Sequence, residues 1–140
     1  MENKKIRNAS KHTYNNITFK SALEVTVYKT LLQEGFIPEY EPETFIIWEG
    51  FKPTTPYYTR YRGKLKLNGI TVRDITYTPD FIVKYGDKTI IIEVKGFAND
   101  VFPIKRKMFR KYLENKSNFM YFEIYSKREL LEAIKIIRNE

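Results

Sequence analysis

Two acidic residues and a lysine occur on neighbouring predicted strands, at positions that would bring their side chains together. Asp80 begins the first strand, and Glu93 and Lys95 lie near the end of the second. If Gly86 and Asp87 form a two-residue turn, the hairpin register places Asp80 directly opposite Glu93. Side chains alternate between the two faces of a sheet, so Lys95 shares the face of both acids. The spacing therefore predicts one patch of two carboxylates and one ammonium group.

This patch has the composition of a site that hydrolyses phosphodiester bonds. Directly opposed carboxylates lie about 5 Å apart and repel each other, and a divalent cation such as Mg²⁺ relieves that repulsion. The metal would polarise a phosphate and activate water, while Lys95 would orient or deprotonate the water. The alternative is a charged ladder on a solvated face, in which Lys95 only neutralises Asp80 and Glu93. Apolar neighbours such as Ile91 and Val94 favour burial, and therefore a site.

The elements that must position the patch alternate between helices and strands. Apolar periodicity and end signals predict three helices, over residues 21–34, 101–115 and 126–138. Extended segments and hairpins are predicted over residues 36–48, 65–73, 80–95 and 118–125. Asn99 or Asp100 is expected to cap the second helix. This order predicts an α/β fold with a mixed central β-sheet flanked by helices.

Length and composition restrict the class of protein. A chain of 140 residues is large enough for one domain, and we expect a flexible polar segment over residues 1–17 and a single domain over 18–140. The absence of cysteine excludes disulfide scaffolds and thiolate zinc sites, and the single histidine, His12, excludes a histidine-rich metal site. Neither a long apolar run nor a secretory signal is found. These features indicate a soluble protein of a reducing compartment, the cytoplasm.

The charge of the chain indicates a polyanionic partner. Lys and Arg number 25 against 17 acidic residues, which gives a net charge of +8. The basic residues concentrate in residues 51–75 and 101–140, on either side of the segment that contains Asp80 and Glu93. DNA is the commonest polyanion that such a surface binds. Surplus positive charge also serves solubility, so an ordinary basic domain is the alternative.

Two basic segments are candidates for contact with DNA. Asn68 and Gly69 predict a hairpin turn that would place Lys64 opposite Arg73. Such a like-charge pair destabilises a hairpin unless an anion lies over it, and the interleaved tyrosines could stack on bases. Both segments would instead be solvated faces if no nucleic acid binds. The candidate DNA-binding residues are Arg60, Arg62, Lys64, Lys66, Arg73, Lys105, Arg106, Lys107 and Arg110.

The spacing of the patch resembles the signature of the PD-(D/E)xK nucleases. Pro79-Asp80 is followed, after twelve residues, by Glu93-Val94-Lys95. This superfamily includes restriction enzymes, phage resolvases and transposon-end nucleases. The order of a Ser-x-x-Glu helix, Tyr-x-Pro-Asp-Phe, Glu-Val-Lys-Gly and a basic helix is similar to uncharacterised phage endonuclease-like and Holliday junction resolvase-like proteins, and to the endonuclease TnsA. The resemblance covers residues 18–125 and implies a restriction-endonuclease-like core.

The resemblance also implies a role for each residue of the patch. Asp80 and Glu93 would hold Mg²⁺ together with the carbonyl of Val94, and Lys95 would position the nucleophilic water. Glu24, on the first helix, would complete the site or contact a second metal. A serine three residues earlier also makes Glu24 part of a capping box, in which it only satisfies a backbone N–H. The role of Glu24 is therefore open at this point.

These observations together lead us to expect a Mg²⁺-dependent DNA endonuclease that forms no covalent intermediate and needs no small organic cofactor. Mn²⁺ is expected to substitute for Mg²⁺. A domain of this size is expected to act on branched or structured DNA of a phage or mobile element, with a homodimer as one arrangement and no membrane as partner. Two alternatives stay open. One is an end-cutting subunit of a transposition or recombination complex, and the other is a non-catalytic nucleic-acid-binding protein with a nuclease-like fold.

Overall fold

The computed structural model describes residues 12–96 and 101–140 as an α/β structure. Its helices are α1 (Ala22–Gln33), α2 (Phe102–Leu113) and α3 (Lys127–Arg138). Its strands are β1 (Thr13–Tyr14), β2 (Ile17–Thr18), β3 (Pro38–Tyr40), β4 (Phe45–Trp48), β5 (Tyr58–Tyr61), β6 (Lys64–Leu67), β7 (Ile75–Tyr77), β8 (Phe81–Tyr85), β9 (Lys88–Val94) and β10 (Phe119–Ile124). No helix among the described residues is both long and apolar enough to cross a membrane.

The central sheet has four strands in the order β10, β9, β8, β3. The β8–β9 hairpin is antiparallel, β10 runs parallel to β9, and β3 runs antiparallel to β8. Tyr85 pairs with Lys88 and Phe81 with Ile92, which is the predicted register. Gly86, at the first central position of the turn, has φ of 59°, as a type II′ hairpin turn requires. The predicted mixed sheet flanked by helices is confirmed.

Helices cover both faces of this sheet. Helices α1 and α3 pack on one face through apolar side chains that include Leu31 and Ile134, against Ile90 and Ile92 of β9. Helix α2 and the two-stranded β4–β7 sheet cover the other face, where Ile91 lies. Strand β9 is therefore buried on both sides, which explains its continuous apolar run. Glu93, the acidic residue of β9, consequently lies beside largely apolar side chains.

Two helices begin at the serines that the sequence indicated. The Ser21 side chain accepts a hydrogen bond from the N–H of Glu24, and Ser126 does the same for Glu129. Helix α2 has Val101 at its N-cap position. The predicted caps Asn99 and Asp100 lie outside the described residues. So do residues 1–11 of the predicted flexible segment, whereas residues 13–18 form the β1–β2 hairpin.

The predicted hairpin around Asn68 and Gly69 is wrong. Strand β6 pairs instead with β5, so that Lys64 lies opposite Tyr61 rather than Arg73. The turn between them is Arg62-Gly63, with φ of 50° and 77°. Two consecutive positive φ angles make the type I′ turn that suits the twist of a hairpin, and a glycine lowers its cost. The turn that forms therefore lies six residues before Asn68-Gly69, although Arg62-Gly63 is the weaker turn signal in the sequence.

Residues 49–74 form an arm that leaves the fold after β4 and returns into β7. Its root is the Trp48–Ile75 pair, followed by an antiparallel bridge between Phe51 and Val72. The outgoing and returning segments of the arm lie so close together there that a Cβ on Gly50 would be 2.1 Å from the carbonyl oxygen of Val72. The residues that sequence analysis assigned to the second strand of a hairpin thus serve the root of the arm.

Candidate active site

Asp80, Glu93 and Lys95 meet at one end of the β8–β9 hairpin. Asp80 immediately precedes β8, Glu93 lies in β9, and Lys95 follows its last residue. The backbone N–H of Val94 donates to Asp80 Oδ2 over 2.8 Å, which ties the carboxylate to the neighbouring strand. The N–H of Lys95 donates to the carbonyl of Ile124 over 2.8 Å and extends the parallel pairing with β10. The hairpin register therefore positions the patch as the sequence predicted.

The patch is buried. Glu24, Asp80, Glu93 and Lys95 expose only 4, 4, 7 and 8% of their surface. Within residues 12–96 and 101–140 they are all the acidic and basic residues in the buried class. Burying a charge away from water is costly unless it is paired or binds a ligand. A solvated charged ladder is therefore excluded, and the cluster needs another explanation.

Glu93 lies between a lysine and a tyrosine. Its Oε1 is 3.3 Å from the Nζ of Lys95, and its Oε2 accepts a hydrogen bond of 2.5 Å from the hydroxyl of Tyr77. Burial, followed by repulsion from Asp80, raises the pKa of Glu93, and the two partners only partly offset this. Burial and the charge of Glu93 also raise the pKa of Tyr77, so its hydroxyl stays protonated and donates.

Asp80 has a different set of partners. Its Oδ1 lies 3.4 Å from the Nζ of Lys20, whose ammonium also contacts Glu41 Oε1 at 2.9 Å. Burial raises the pKa of Asp80, although the Val94 N–H and the charge of Lys20 act against the shift. The side chain of Lys20 is 65% exposed. Asp80 is thus paired with a lysine whose side chain lies largely in solvent.

Glu24 does more than cap its helix. One oxygen, Oε1, accepts a hydrogen bond from the hydroxyl of Ser21 over 3.0 Å. The other, Oε2, is buried and has no partner of ordinary hydrogen-bond geometry among the described residues. Burial raises the pKa of Glu24, while the nearby hydroxyl of Tyr40 and the Ser21 contact favour the ionised form. The charge of Asp80 also raises the pKa of Glu24.

Lys95 is held by packing as well as by charge. Its Nζ lies 3.2 Å from the centroid of the Phe102 ring, at the start of α2. A cation over the face of an aromatic ring is stabilised by the quadrupole of the ring, more strongly when both are removed from water. Phe102 and Glu93 therefore hold the ammonium group in one place. A lysine held in this manner can present an N–H to a water molecule in a repeatable geometry.

A cleft of about 510 Å³ opens onto the cluster. Glu93 and Lys95 line it, together with Tyr77 and two further lysines, Lys20 and Lys105. Three ammonium groups therefore face a space whose floor contains a carboxylate. This combination suits a phosphate ester, because the lysines attract the anion and the carboxylate side can hold a cation.

The predicted DNA-binding residues are divided between several places. Lys105 lines the cleft, whereas Arg106 is ion-paired with Glu123, its Nε 2.7 Å from Oε1. Lys107 and Arg110 lie on a separate exposed surface of α2. The remaining five, all on the arm, are Arg60, Arg62, Lys64, Lys66 and Arg73. The structure therefore brings one of the nine residues to the cleft and groups five elsewhere.

Sequence reasoning missed Lys20 and Tyr77 as members of the site. Tyr77 lies three residues before Asp80, inside the Tyr-x-Pro-Asp segment that carries the family resemblance, so its position was a usable signal. Lys20 gave none, because it reaches Asp80 from sixty residues away and directly precedes an ordinary helix cap. Only the packing of the N-terminal segment against the sheet brings Lys20 to the cluster.

The oxygen donors of the cluster fit a hard divalent cation. Within the described parts of the chain, no three His, Cys, Asp or Glu side chains are grouped so that they enclose an ion. Mg²⁺, however, is held by one or two carboxylates and keeps several waters. Asp80 and Glu93, which repel each other electrostatically, match this smaller set, and the N–H of Val94, the residue after Glu93, binds Asp80. Glu24 Oε2, which has no hydrogen bond of ordinary geometry among the described residues, is a further carboxylate oxygen.

Comparison with known protein families assigns the chain to one of them. The model of a family of proteins of unknown function, DUF1064, matches residues 4–125. The chain belongs to the DUF1064 family. The matched region contains Glu24, Asp80, Glu93 and Lys95 and ends before α3. No curated protein matches the chain. The function of this DUF1064 protein must therefore be argued from the site itself.

Proposed function

We propose that this DUF1064 protein is a Mg²⁺-dependent nuclease that hydrolyses phosphodiester bonds of DNA. The observation that carries the proposal is the buried cluster of Glu24, Asp80, Glu93 and Lys95, of which Glu93 and Lys95 line a cleft that also contains Lys20 and Lys105. Three buried carboxylates with a single buried ammonium leave an excess of negative charge. A structural cluster would be expected to balance its charges, whereas a metal site requires this excess.

Each residue has a distinct part in the proposed reaction. Asp80 and Glu93 would hold Mg²⁺, together with the Val94 carbonyl. The metal would supply Lewis-acid stabilisation of the charge that develops on the phosphate. Lys95 would donate a hydrogen bond to the attacking water and fix its position. Tyr77 holds the Glu93 carboxylate through Oε2.

The similarity of Pro79-Asp80 and Glu93-Val94-Lys95 to the PD-(D/E)xK nucleases supports the same reaction and suggests a restriction-endonuclease-like core. It favours branched or structured DNA as substrate, in the cytoplasm of the cell or phage host. A homodimer would present two such sites to the two strands of a junction.

A substrate panel tests the proposal. The purified protein is incubated with linear duplex, nicked, single-stranded and four-way-junction DNA, each with Mg²⁺, Mn²⁺ or a chelator. We expect cleavage of at least one DNA form with either metal and none with the chelator. If all four forms stay intact with both metals, the nuclease proposal is wrong, and the alternative of a non-catalytic DNA-binding protein takes its place.

The Tyr77→Phe variant is expected to shift the pH dependence of cleavage to higher pH. The lost hydroxyl lowers the pKa of Glu93 in the wild-type protein, so its removal raises that pKa further. Protonated Glu93 cannot bind metal, and the variant therefore needs a higher pH to reach the same activity. The measurement is the rate of cleavage against pH at fixed Mg²⁺. Tyr112→Phe, which removes the hydroxyl of another tyrosine packed on the same side of the sheet, is the matched control and should leave the profile in place. An unshifted profile for Tyr77→Phe would contradict the role given to its hydroxyl.

The Glu24→Gln variant separates the two roles that the sequence left open. As a helix cap, Glu24 needs only the oxygen that contacts Ser21, and glutamine retains one. As a member of the metal site, it needs its charge. We expect cleavage to fall by about tenfold to a thousandfold, with helix α1 and the melting temperature little changed. Glu129→Gln, which makes the same change at the equivalent position of the α3 cap, is the control and should leave cleavage unchanged. Wild-type cleavage by Glu24→Gln would assign Glu24 to the cap alone.

A further inference from the structure

The distal part of the arm is a two-stranded ribbon with little contact to the rest of the fold. Strands β5 and β6 form a sheet of their own. Their side chains are almost all exposed, and Leu65, at 77%, is among the most exposed large apolar residues of the described chain. An isolated two-stranded hairpin is only marginally stable in water. Its function is therefore expected to lie in contact with another molecule.

The root of the arm, in contrast, is fixed. Phe51 and Val72 exchange two backbone hydrogen bonds of 2.9 and 2.8 Å, and the N–H of Gly50 donates to Asp74 over 2.7 Å. Nearer the ribbon, the N–H of Asn68 donates to the carbonyl of Tyr57 over 2.8 Å. The ribbon thus projects in a defined direction rather than as a loose loop.

The charge of the ribbon points to a polyanion. Residues 57–73 contain five Lys and Arg residues and no acidic residue. On one face, the Nζ of Lys66 lies 4.5 Å from the centroid of the Tyr61 ring, and the guanidinium of Arg62, at the tip, lies 5.2 Å from it. The ring holds both cations near one another without an internal counter-ion on the ribbon. They are consequently available to phosphate groups.

The ribbon also has the dimensions of a groove-binding element. We propose that the arm is a β-ribbon that enters the major groove of duplex DNA, with Arg62, Lys64 and Lys66 on the phosphates. Two strands about 5 Å apart fit within a major groove about 12 Å wide. The opposite face carries Leu65 and Leu67 beside Arg60, a set that can contact thymine methyl groups and guanine edges.

The arm is connected to the cleft through one short strand. Its root pair contains Ile75, the first residue of β7, and Tyr77 at the end of β7 donates to Glu93. Two residues of extended chain span about 7 Å. The root of the arm therefore adjoins the cleft that contains Lys20, Lys95 and Lys105. This inference rests on the proposed function in taking DNA as the partner, and it adds the surface that selects duplex DNA.

A matched pair of triple variants tests the proposal. The arm variant carries Arg62→Gln, Lys64→Gln and Lys66→Gln, and the control carries Lys127→Gln, Arg128→Gln and Lys135→Gln on the exposed face of α3. Both lose three positive charges. Binding to a short labelled duplex is measured by fluorescence anisotropy in a chelator, over a range of salt concentrations. The single tryptophan, Trp48, lies at the root of the arm and gives a second signal from the same titration.

We expect the arm variant to bind duplex at least about tenfold more weakly than wild type and to lower the salt slope by about 2.7, since each phosphate contact contributes about 0.9. The control should bind within about twofold of wild type, and wild-type Trp48 fluorescence should change on binding. Equal weakening of the two variants, or none in the arm variant, would overturn the proposal. Tighter binding of single-stranded DNA than of duplex would do the same. So would a dimer held by Leu65 and Leu67, shown by sedimentation, that dissociates on their replacement by serine while duplex affinity is unchanged.

The test is independent of cleavage because it is carried out without metal. A protein that binds duplex through the arm but cuts no DNA with Mg²⁺ or Mn²⁺ would support this inference while the nuclease proposal failed. If the wild-type protein and the arm variant cut DNA equally well, the nuclease proposal would be supported and the inference about the arm would fail. Because the replaced side chains are exposed, thermal unfolding of both triple variants should match wild type.

Discussion

Replacement of Lys95 by methionine is expected to lower the rate of DNA cleavage by about a hundredfold to ten-thousandfold, the usual contribution of a positioned proton-transfer or water-orienting group. Methionine keeps much of the apolar contact that the lysine stem makes beside Phe102, so the fold should survive. The ammonium that faces Glu93 at 3.3 Å is the only group lost. The measurement is single-turnover cleavage at saturating protein, which isolates the chemical step from binding.

Lys105→Met is the matched control for this prediction. Lys105 lines the same cleft as Lys95 but is not paired with Glu93 in the structure. Its loss should weaken binding of the substrate and leave the single-turnover rate nearly unchanged. If Lys95→Met cleaves at the wild-type rate, or if both variants lose only affinity, then Lys95 is not the residue that positions the water. A fall in rate for Lys95 alone would identify it, rather than Lys105, as the catalytic lysine.

The second large effect is on stability: a substitution of Asp80 that removes cleavage is expected to make the folded protein more stable. Asp80→Asn is expected to abolish cleavage and, at pH 7 without metal, to raise the free energy of unfolding by about 0.5–2 kcal/mol. The reason is that burial raises the pKa of Asp80, so the ionised carboxylate costs the folded state energy. Asparagine can still accept the hydrogen bond from the Val94 N–H. The other partner, Lys20, has a side chain that is 65% exposed and still contacts Glu41, so its charge is not left buried and unpaired.

The pH dependence of this stability difference has a defined sign. A carboxyl group whose pKa is raised on folding binds more protons in the folded chain than in the unfolded chain. Its contribution to stability is therefore lost as pH rises from the ordinary aspartate range through the folded pKa. Asp80→Asn removes this loss, so the advantage of the variant should grow as pH rises and shrink as pH falls. Thermal unfolding of both proteins in a chelator, at several pH values, measures it as a difference of a few degrees.

Asp87→Asn, in the exposed turn of the same hairpin, is the control for charge alone and should change the melting temperature little at any pH. Added Mg²⁺ should raise the melting temperature of the wild-type protein and not that of Asp80→Asn, because only the wild type retains both carboxylates. A variant less stable than wild type at pH 7 would show that Asp80 is a structural acid, held in place for the fold and not for a metal.

Much of the site was predictable because it depends on local rules. The register of the β8–β9 hairpin follows from a two-residue turn, and alternation along the strands then places Asp80, Glu93 and Lys95 on one face. The helix that carries Glu24 was equally readable, since Ser21 is a strong cap signal and α1 begins directly after it. Short-range geometry of this kind involves few residues, and each has a strong preference.

The arm could not be predicted in the same way. Asn68-Gly69 and Arg62-Gly63 are both plausible turns, and which one forms depends on what the flanking strands pair with. Val72 pairs with Phe51 and not with β6, because Gly50 allows the two segments of the arm to approach closely. Which of the two turns forms therefore depends on contacts between residues more than twenty positions apart in the chain.

The amino-acid sequence by itself determined the helices that were capped, the hairpin that carries the acids and the face on which they lie, because turn chemistry and side-chain alternation act between near neighbours. Tertiary structure alone decided that the cluster is buried and which groups surround it. Lys20 and Tyr77 reach the acids only because the N-terminal segment and β7 pack against the ends of the central strands. The cost of burying those charges, on which the proposed metal site depends, exists only once the chain has folded.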